Sequence, residues 1–472
     1  MRYRYHMIVI GAGSAGLVAA NGASRFGCRV ALIESDKMGG DCLNTGCVPS
    51  KTFLRSAHLA RSIRESHEIG IESTIKDVDL KKIKNRVYKV INEIAPHDSS
   101  ERYEKLGVDV IKGRCVFIDR HTVAVNGEEL TARIIVIAAG SDPVIPDIKG
   151  LDQIDFLTNK NVFDLEKLPS HLIVLGGGPV GMELGQGFRH LGSAVTIIDR
   201  NKSLFNKDDG EVAQIMERVL TDDGIELCLG SEIKEVRKEK NEITVTIRQG
   251  DENREISGDS LLVSLGRVPS VKDLGLERAG VATDAKGYVI TDRSLRTNVK
   301  NIYACGDVAG PYQFTHMAGY QASIVVRNAV FGLRAKTDYS YVPWTTYTKP
   351  EVAHVGYTER NAREKGIYKK SIIVDLADND RAKAEDDRTG FLKLNLGKRD
   401  KIIGATLVGE KAGEMMPLVS MALRNKMTPL GFYKIIFSYP TESEIFAAAA
   451  GRYLEGIYKP WHKKLISKLF CR

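Results

Sequence analysis

One pattern occurs twice in the 472 residues and limits what the chain can fold into more than any other feature. In the first copy the apolar run Met7-Ile8-Val9-Ile10 meets Gly11-Ala12-Gly13-Ser14-Ala15-Gly16, and a second run, Arg29 to Ile33, ends at Glu34. In the second copy Leu172-Ile173-Val174-Leu175 meets Gly176-Gly177-Gly178-Pro179-Val180-Gly181, and the run Ala194 to Ile198 ends at Asp199. From first glycine to acid the spacing is 23 positions in both. A short apolar run bounded by glycine reads as a buried strand, and the G-x-G-x-x-G after it as the turn into a helix. Gly11 and Gly176 permit the tight turn. Gly13 and Gly178 let the backbone approach a pyrophosphate, and Gly16 and Gly181 let helix and strand pack closely. The helix N-terminus attracts the phosphate charge, while Glu34 or Asp199 can accept hydrogen bonds from a ribose diol. Two dinucleotide sites are implied, in a chain of the α/β class.

The second site carries conflicting signals about its nucleotide. Asp199 favours the free 2′-hydroxyl of NADH and repels a 2′-phosphate, whereas Arg200 and Lys202 can bind that phosphate and so favour NADPH. The acid on the ribose is the more direct determinant and points to NADH.

A chain of this length exceeds one hydrophobic core and implies several domains, at roughly 100–200 residues each. With 43 % hydrophobic and 27 % charged residues it has globular composition, and it lacks an apolar stretch of the ~18 residues that could span a bilayer. The N-terminal residues lead straight into the first apolar run with no signal-peptide pattern, which points to the cytoplasm. A net charge of +8 is spread over 68 basic and 60 acidic residues without a basic block, so nucleic acid is not an expected partner. Seven cysteines show no C-x2-C zinc spacing, and no metal site is evident. In a reducing compartment a disulfide is catalytic or redox-sensing, not structural. Cys28, Cys115, Cys228 and Cys305 fall in strand or turn contexts and read as small buried apolar residues.

Cys42 and Cys47 stand apart, within Gly39-Gly40-Asp41-Cys42-Leu43-Asn44-Thr45-Gly46-Cys47-Val48-Pro49-Ser50-Lys51. A helical turn followed by an irregular step can bring sulfurs five positions apart within bonding distance, where they exchange electrons reversibly. This segment resembles the redox-disulfide motif of the flavoprotein family that includes dihydrolipoamide dehydrogenase, glutathione reductase and mercuric reductase. The resemblance runs from Ile8 to about Tyr458. Ala138-Ala139-Gly140-Ser141 resembles the family's strand-to-loop crossover, with Ala139 where threonine is usual. Leu265-Gly266-Arg267-Val268-Pro269 is similar to the segment closing the NAD domain, and Ile302-Tyr303-Ala304-Cys305-Gly306-Asp307 to the second FAD motif. Pro343-Trp344-Thr345-Thr346-Tyr347 and the strands around Phe391 and Ala405 resemble the dimerisation domain.

This likeness implies FAD and a nicotinamide cofactor, NADH or NADPH, bound to two Rossmann-like domains that a C-terminal α+β dimerisation domain follows. The implied division is 1–150 and 273–340 for FAD, 151–272 for NAD(P), and 341–472 for dimerisation with a basic tail. A homodimer follows, each active site borrowing a C-terminal segment from the partner. Asp307 would hold the ribityl chain, Gly140 and Gly266 would lie along the cofactors, and Lys51 and Glu183 would form a buried ion pair beside the flavin. Cys47 would be the sulfur nearer the ring, leaving Cys42 to meet substrate.

The match departs at one place that bears on substrate. Dithiol and disulfide enzymes of the family usually carry His-Pro-Thr-x-x-Glu near the C-terminus, whose histidine shuttles the proton; here the segment is Tyr439-Pro440-Thr441-Glu442-Ser443-Glu444. A phenol is a poor proton acceptor at neutral pH. Tyrosine here resembles mercuric reductase, where thiols bind a soft metal ion and need no imidazole base. Mercuric reductases also end in two adjacent cysteines and usually carry a metal-binding domain in front, while this sequence has Cys471 alone near its end and starts directly at the first strand. The acceptor stays open among a metal ion, a small disulfide, a quinone and a partner's thiol pair. A redox sensor, or an electron-transfer subunit docked to a membrane partner, is the reading from another class. It rests on the tail, where Trp461, Leu465, Ile466, Leu469 and Phe470 can share a helical face opposed by lysines. Such a stripe ordinarily packs on its own domain, with weak docking to a membrane surface or a partner as the alternative.

If Asp199 sets the nucleotide, Asp199→Ala raises the ratio of kcat/KM for NADPH to that for NADH, leaving Arg200 and Lys202 unopposed. Wild-type preference for NADPH, weakened by Arg200→Ala, would show that the basic residues decide.

Overall fold

The structure, a computed structural model, describes residues 3–458 and 460–470. Two compact units are formed, one by residues up to Ile198 together with Glu232–Thr337, the other by Asp199–Ser231 together with residues from Asp338 onward.

In the first unit β1 (Tyr5–Ile10) lies parallel between β2 (Val30–Glu34) and the strand Glu128–Ile137. Val108–Lys112 extends this sheet beyond β2, and Ile302–Ala304 pairs in parallel with Glu128–Ile137. From Met7 to Ile10 β1 is apolar and buried because both of its faces are covered there, whereas His6 is exposed. Met7 and Val9 enter one buried cluster with Val30, Leu32 and Val136, whereas Ile8 and Ile10 enter a second with Ala31, Ile33 and Ile135. A strand's period of two sends neighbours to opposite faces, so a continuous apolar run marks a doubly covered parallel sheet. Each such aliphatic side chain contributes roughly 1.5–3 kcal/mol of burial. α1 (Ser14–Ser24) then packs on the helix Thr315–Phe331 through small residues: a Cβ at Gly22 would lie 2.8 Å from Val326. His171–Leu175 repeats the arrangement, parallel to Ala194–Asp199 on one side and Ser260–Val263 on the other.

The second unit holds a five-stranded antiparallel sheet in the order Pro343–Thr346, Glu351–Gly356, Ile402–Gly409, Phe391–Leu396, Lys370–Asp375. Helices Ala412–Arg424 and Ile445–Ile457 cover it, and Val355, Leu394, Leu407, Val419, Phe432 and Phe446 share their core. The chain therefore has two Rossmann-like dinucleotide domains and a distinct C-terminal α+β domain.

Two expectations are corrected. Cys115, Cys228 and Cys305 are buried, but Cys28 is only half-buried, because it follows the turn after α1 and precedes β2. The tail forms a helix, Pro460–Phe470, whose apolar side chains remain exposed instead of packing on their own domain. Cys471 lies outside the described residues. No described helix is long and apolar enough to cross a membrane.

Lys393 is a buried cation that its strand alone does not explain. Its side chain is 2 % exposed, and Nζ lies 2.8 Å from Glu211, 2.8 Å from Glu359 and 3.5 Å from Asp209. Burial disfavours the ammonium, but the hydrogen bonds to Glu211 and Glu359 outweigh it and hold its pKa above the ordinary lysine value. Lys393→Met leaves the three carboxylates facing one another and should cost about 3–5 kcal/mol, the usual loss when one partner of a buried ion pair is removed. Urea unfolding of the variant checks this; unchanged stability would mean that water already satisfies the cluster.

Candidate active site

Both glycine turns have the same steric profile. Gly11 (φ +100°) and Gly176 (φ +106°) occupy a backbone region that side chains avoid, and a Cβ there would lie 2.4 Å from the Ala138 carbonyl and 2.6 Å from that of Ser264. A Cβ at Gly16 or Gly181 would meet the carbonyl of Gly11 or Gly176 at 1.7 and 2.0 Å. Gly13 and Gly178 differ: the nearest atom to a Cβ is 3.8 Å away at Gly13, and none lies within 4 Å at Gly178. These two glycines are also the N-caps of α1 and of Pro179–Leu191, with no side-chain cap on either helix. Open space beside uncapped N–H groups fits a dinucleotide pyrophosphate. At the first turn Glu34 accepts from Ala12 N at 2.7 Å and Asp36 N at 2.8 Å, which fixes its carboxylate with lone pairs remaining for a ribose. In the second unit Asp199 accepts from the backbone and side-chain nitrogens of Asn201 at 2.7 and 2.8 Å.

The cysteine pair sits at a break between helices. α2 (Gly40–Asn44) stops at Thr45, Gly46 is non-helical, and α3 (Cys47–Glu65) starts at Cys47 itself. A Cβ at Gly46 would lie 2.8 Å from the Asp41 carbonyl, so glycine allows the two helices to approach. Both thiols are free, and the Cys42 thiol is hydrogen bonded to the Cys47 sulfur. That bond lowers the Cys47 pKa most; burial opposes it, the Thr315 hydroxyl at 3.6 Å and the Lys51 charge lower it further, and the result is about 6. The same bond and burial push the Cys42 thiol up. Cys47 is also the first residue of its helix, where the backbone dipole favours a thiolate. Lys51, one turn further along α3, pairs at 2.7 Å with Glu183, whose side chain is buried while that of Lys51 is partly exposed.

Residues of the other two motifs meet beside this pair. The strand Arg267–Pro269 pairs antiparallel with Ser141–Pro143, bringing the segments that contain Gly266 and Gly140 together: Val144 N donates to Gly266 O at 2.9 Å and Ser270 N to Gly140 O at 3.1 Å. Arg267 donates to Ser141 Oγ at 2.7 Å, to the Ser141 carbonyl at 2.6 Å, and to Asp41, the residue before Cys42. Ser141 Oγ in turn donates to Asp307 at 2.6 Å. Burial raises the Asp307 pKa, and the Ser141 bond and the Arg267 charge offset only part of that.

In the second unit Tyr439 is exposed, and its hydroxyl donates to Asp380 at 3.3 Å. The Glu444 carboxylate accepts from Thr441 N at 3.3 Å in a capping box. Asn379 donates to the Thr441 carbonyl at 3.1 Å, and Lys411 pairs with Glu442 at 2.9 Å, so the segment is held from two directions. Sequence reasoning missed Thr315, Asp380 and the guanidinium of Arg267. Only Arg267 carried a signal, as the one charged residue in its quoted motif.

The Cys47 thiolate should govern the long-wavelength absorbance of the two-electron-reduced holoenzyme. That band should be present above pH about 6 and fade below it, since the thiolate is the form that persists above its pKa. Thr315→Val and Lys51→Met should each move the midpoint upward. A midpoint near the ordinary thiol value in the wild type would contradict this electrostatic reading.

Comparison with known proteins agrees with this geometry. Residues 5–322 match the family model described as pyridine nucleotide-disulphide oxidoreductase, and residues 342–450 match the family's dimerisation domain. The chain is 35 % identical to a mercuric reductase of Lysinibacillus sphaericus, over 96 % of this chain and 84 % of that protein. It is 32 % identical to a dihydrolipoyl dehydrogenase of Bacillus subtilis, over 94 % and 95 % respectively. Among solved structures it is similar to the Cu(II) complex of the HOCl-induced flavoprotein disulfide reductase RclA from Escherichia coli, with a TM-score of 0.86, 28 % identity, and coverage of 96 % of this chain and 100 % of that one. The chain belongs to the pyridine nucleotide-disulphide oxidoreductase family and is an FAD- and NAD(P)H-dependent enzyme of that class, with a dimerisation domain that supports a homodimer.

Proposed function

We propose that this enzyme takes electrons from NADH and delivers them through the Cys42–Cys47 pair to a thiophilic metal ion. The observation that carries this reading is Tyr439. It replaces the histidine usual in the resembling His-Pro-Thr-x-x-Glu segment, its hydroxyl is bonded to Asp380, and Glu444 is engaged with the Thr441 backbone. No imidazole–carboxylate pair is present in the segment to receive a thiol proton. General acid–base help is typically worth ~10²–10⁴-fold, so a dithiol substrate is poorly served. A soft cation held by two thiolates needs no such base. The mercuric reductase relatives, and a solved neighbour that holds Cu(II), support an acceptor of this chemical class.

Two-electron chemistry between the nicotinamide and the cysteine pair would be supplied by bound FAD. The protein's own residues supply the rest. Gly11, Gly13, Gly16 and Glu34 anchor one dinucleotide; Gly176, Gly178, Gly181 and Asp199 anchor the other, with Asp199 favouring NADH. Lys51, held by Glu183, and Thr315 stabilise negative charge on Cys47, while Cys42 stays protonated until it meets the acceptor. The Arg267–Asp41 contact orients the turn that carries Cys42, and Asp307 with Gly140 and Gly266 borders the cofactors.

A second reading, oxidation of a dihydrolipoyl group, is supported by the dihydrolipoyl dehydrogenase relatives, 32 % identical over 94 % of this chain. Steady-state assays separate the two. Tyr439→Phe should depress metal-ion reduction more than disulfide turnover, and Tyr439→His should raise lipoamide turnover towards the ~10²-fold scale of a restored base if Glu444 turns from Thr441 N to orient the new imidazole. Efficient wild-type oxidation of dihydrolipoamide at neutral pH, unaffected by Tyr439→Phe, would establish the second reading instead.

A further inference from the structure

The helix Pro460–Phe470 separates its side chains into two halves. At about 100° per residue, Trp461, Leu465, Leu469, His462, Ile466 and Phe470 fill one continuous arc, and Ser467, Lys464 and Lys468 lie on the other. The apolar arc is uncovered: Trp461 is 57 % exposed, Leu465 48 %, Ile466 43 %, Leu469 60 % and Phe470 79 %. Ile457 and Tyr458, just before the helix, are 39 % and 45 % exposed. Charge identifies the surface that fits. From Gly456 to Arg472 there is no Asp or Glu, while Lys459, Lys463, Lys464, Lys468 and Arg472 are basic. Pairing this helix with its own copy would bring lysines together with no carboxylate in the segment to offset them. An apolar arc containing tryptophan and bordered by lysines is instead suited to the boundary between acyl chains and anionic headgroups.

We propose that this helix docks the enzyme on an anionic lipid surface, with the apolar arc at the acyl boundary and the lysine stems reaching up to the headgroups. Because the enzyme is a dimer, two helices are presented, and linked sites bind more tightly than one short helix does alone. The proposal is independent of which acceptor the active site reduces.

Co-sedimentation of the full-length holoenzyme with vesicles tests it, using pure phosphatidylcholine and an equimolar mixture with phosphatidylglycerol. The wild type should bind the anionic vesicles, bind the neutral ones weakly, and be released by raised salt. Lys464→Ser with Lys468→Ser should lower partitioning by about tenfold or more, since each cation near such a surface contributes several-fold. Leu465→Ser with Leu469→Ser should abolish binding and leave NADH oxidation unchanged. Trp461 emission should shift to the blue on binding, a change lost in Trp461→Ala. Absence of binding, equal binding to neutral vesicles, or dissociation of the dimer by Leu465→Ser with Leu469→Ser would each overturn the proposal, the last by making this face a subunit contact.

Discussion

Placing Cys47 at the first turn of a helix while holding Cys42 against it requires the chain to leave one helix and enter the next within two residues. The rest of the site follows from that break. Gly46 is needed because any side chain there would strike the Asp41 carbonyl, and Asp41 is itself held by Arg267. The position that results gives Cys47 a helix N-terminus, a hydroxyl from Thr315 and a cation from Lys51, all favouring the same ionised sulfur. The bond that the two sulfurs share acts in the opposite sense on Cys42 and, with burial, holds its proton more tightly. Two cysteines of one chemistry are thereby shifted in opposite directions.

Arg267 explains why distant motifs belong to one site. Its guanidinium joins Asp41 to Ser141, and Ser141 passes the connection to Asp307. A planar donor with several N–H groups suits this bridging role, which a lysine's single ammonium could not reproduce. The short antiparallel pairing of Arg267–Pro269 with Ser141–Pro143 sets the register that makes these contacts possible. A buried carboxylate is costly unless paired, and the Ser141 and Arg267 contacts offset part of that cost at Asp307.

What the sequence made legible was local. Both glycine turns, the acids that end the second strands and the α2–α3 break follow from spacing, because their chemistry lies within a few residues. Lys51 and Glu183 were found through resemblance, not through pattern. Thr315 lies 268 positions from Cys47, Arg267 lies 226 from Asp41, and no periodicity links such pairs. Lys393 was equally hidden: a lysine within an apolar strand gives no sign that Asp209, Glu211 and Glu359 converge on it. The tail shows the converse limit. Its amphipathic pattern specified a face, and the expectation that the domain would cover it failed because a pattern does not encode its neighbour. Tyr439 was legible as a departure, whereas its partner Asp380 was not.

On this reading Cys42 and Cys47 form the redox pair that receives electrons after the flavin. An anaerobic reductive titration with dithionite tests it most directly. The wild-type holoenzyme should take up one electron pair beyond the pair that its flavin holds, and the Cys42→Ser, Cys47→Ser double variant should stop at the flavin alone while still binding FAD. Equal uptake by the two proteins would contradict the account.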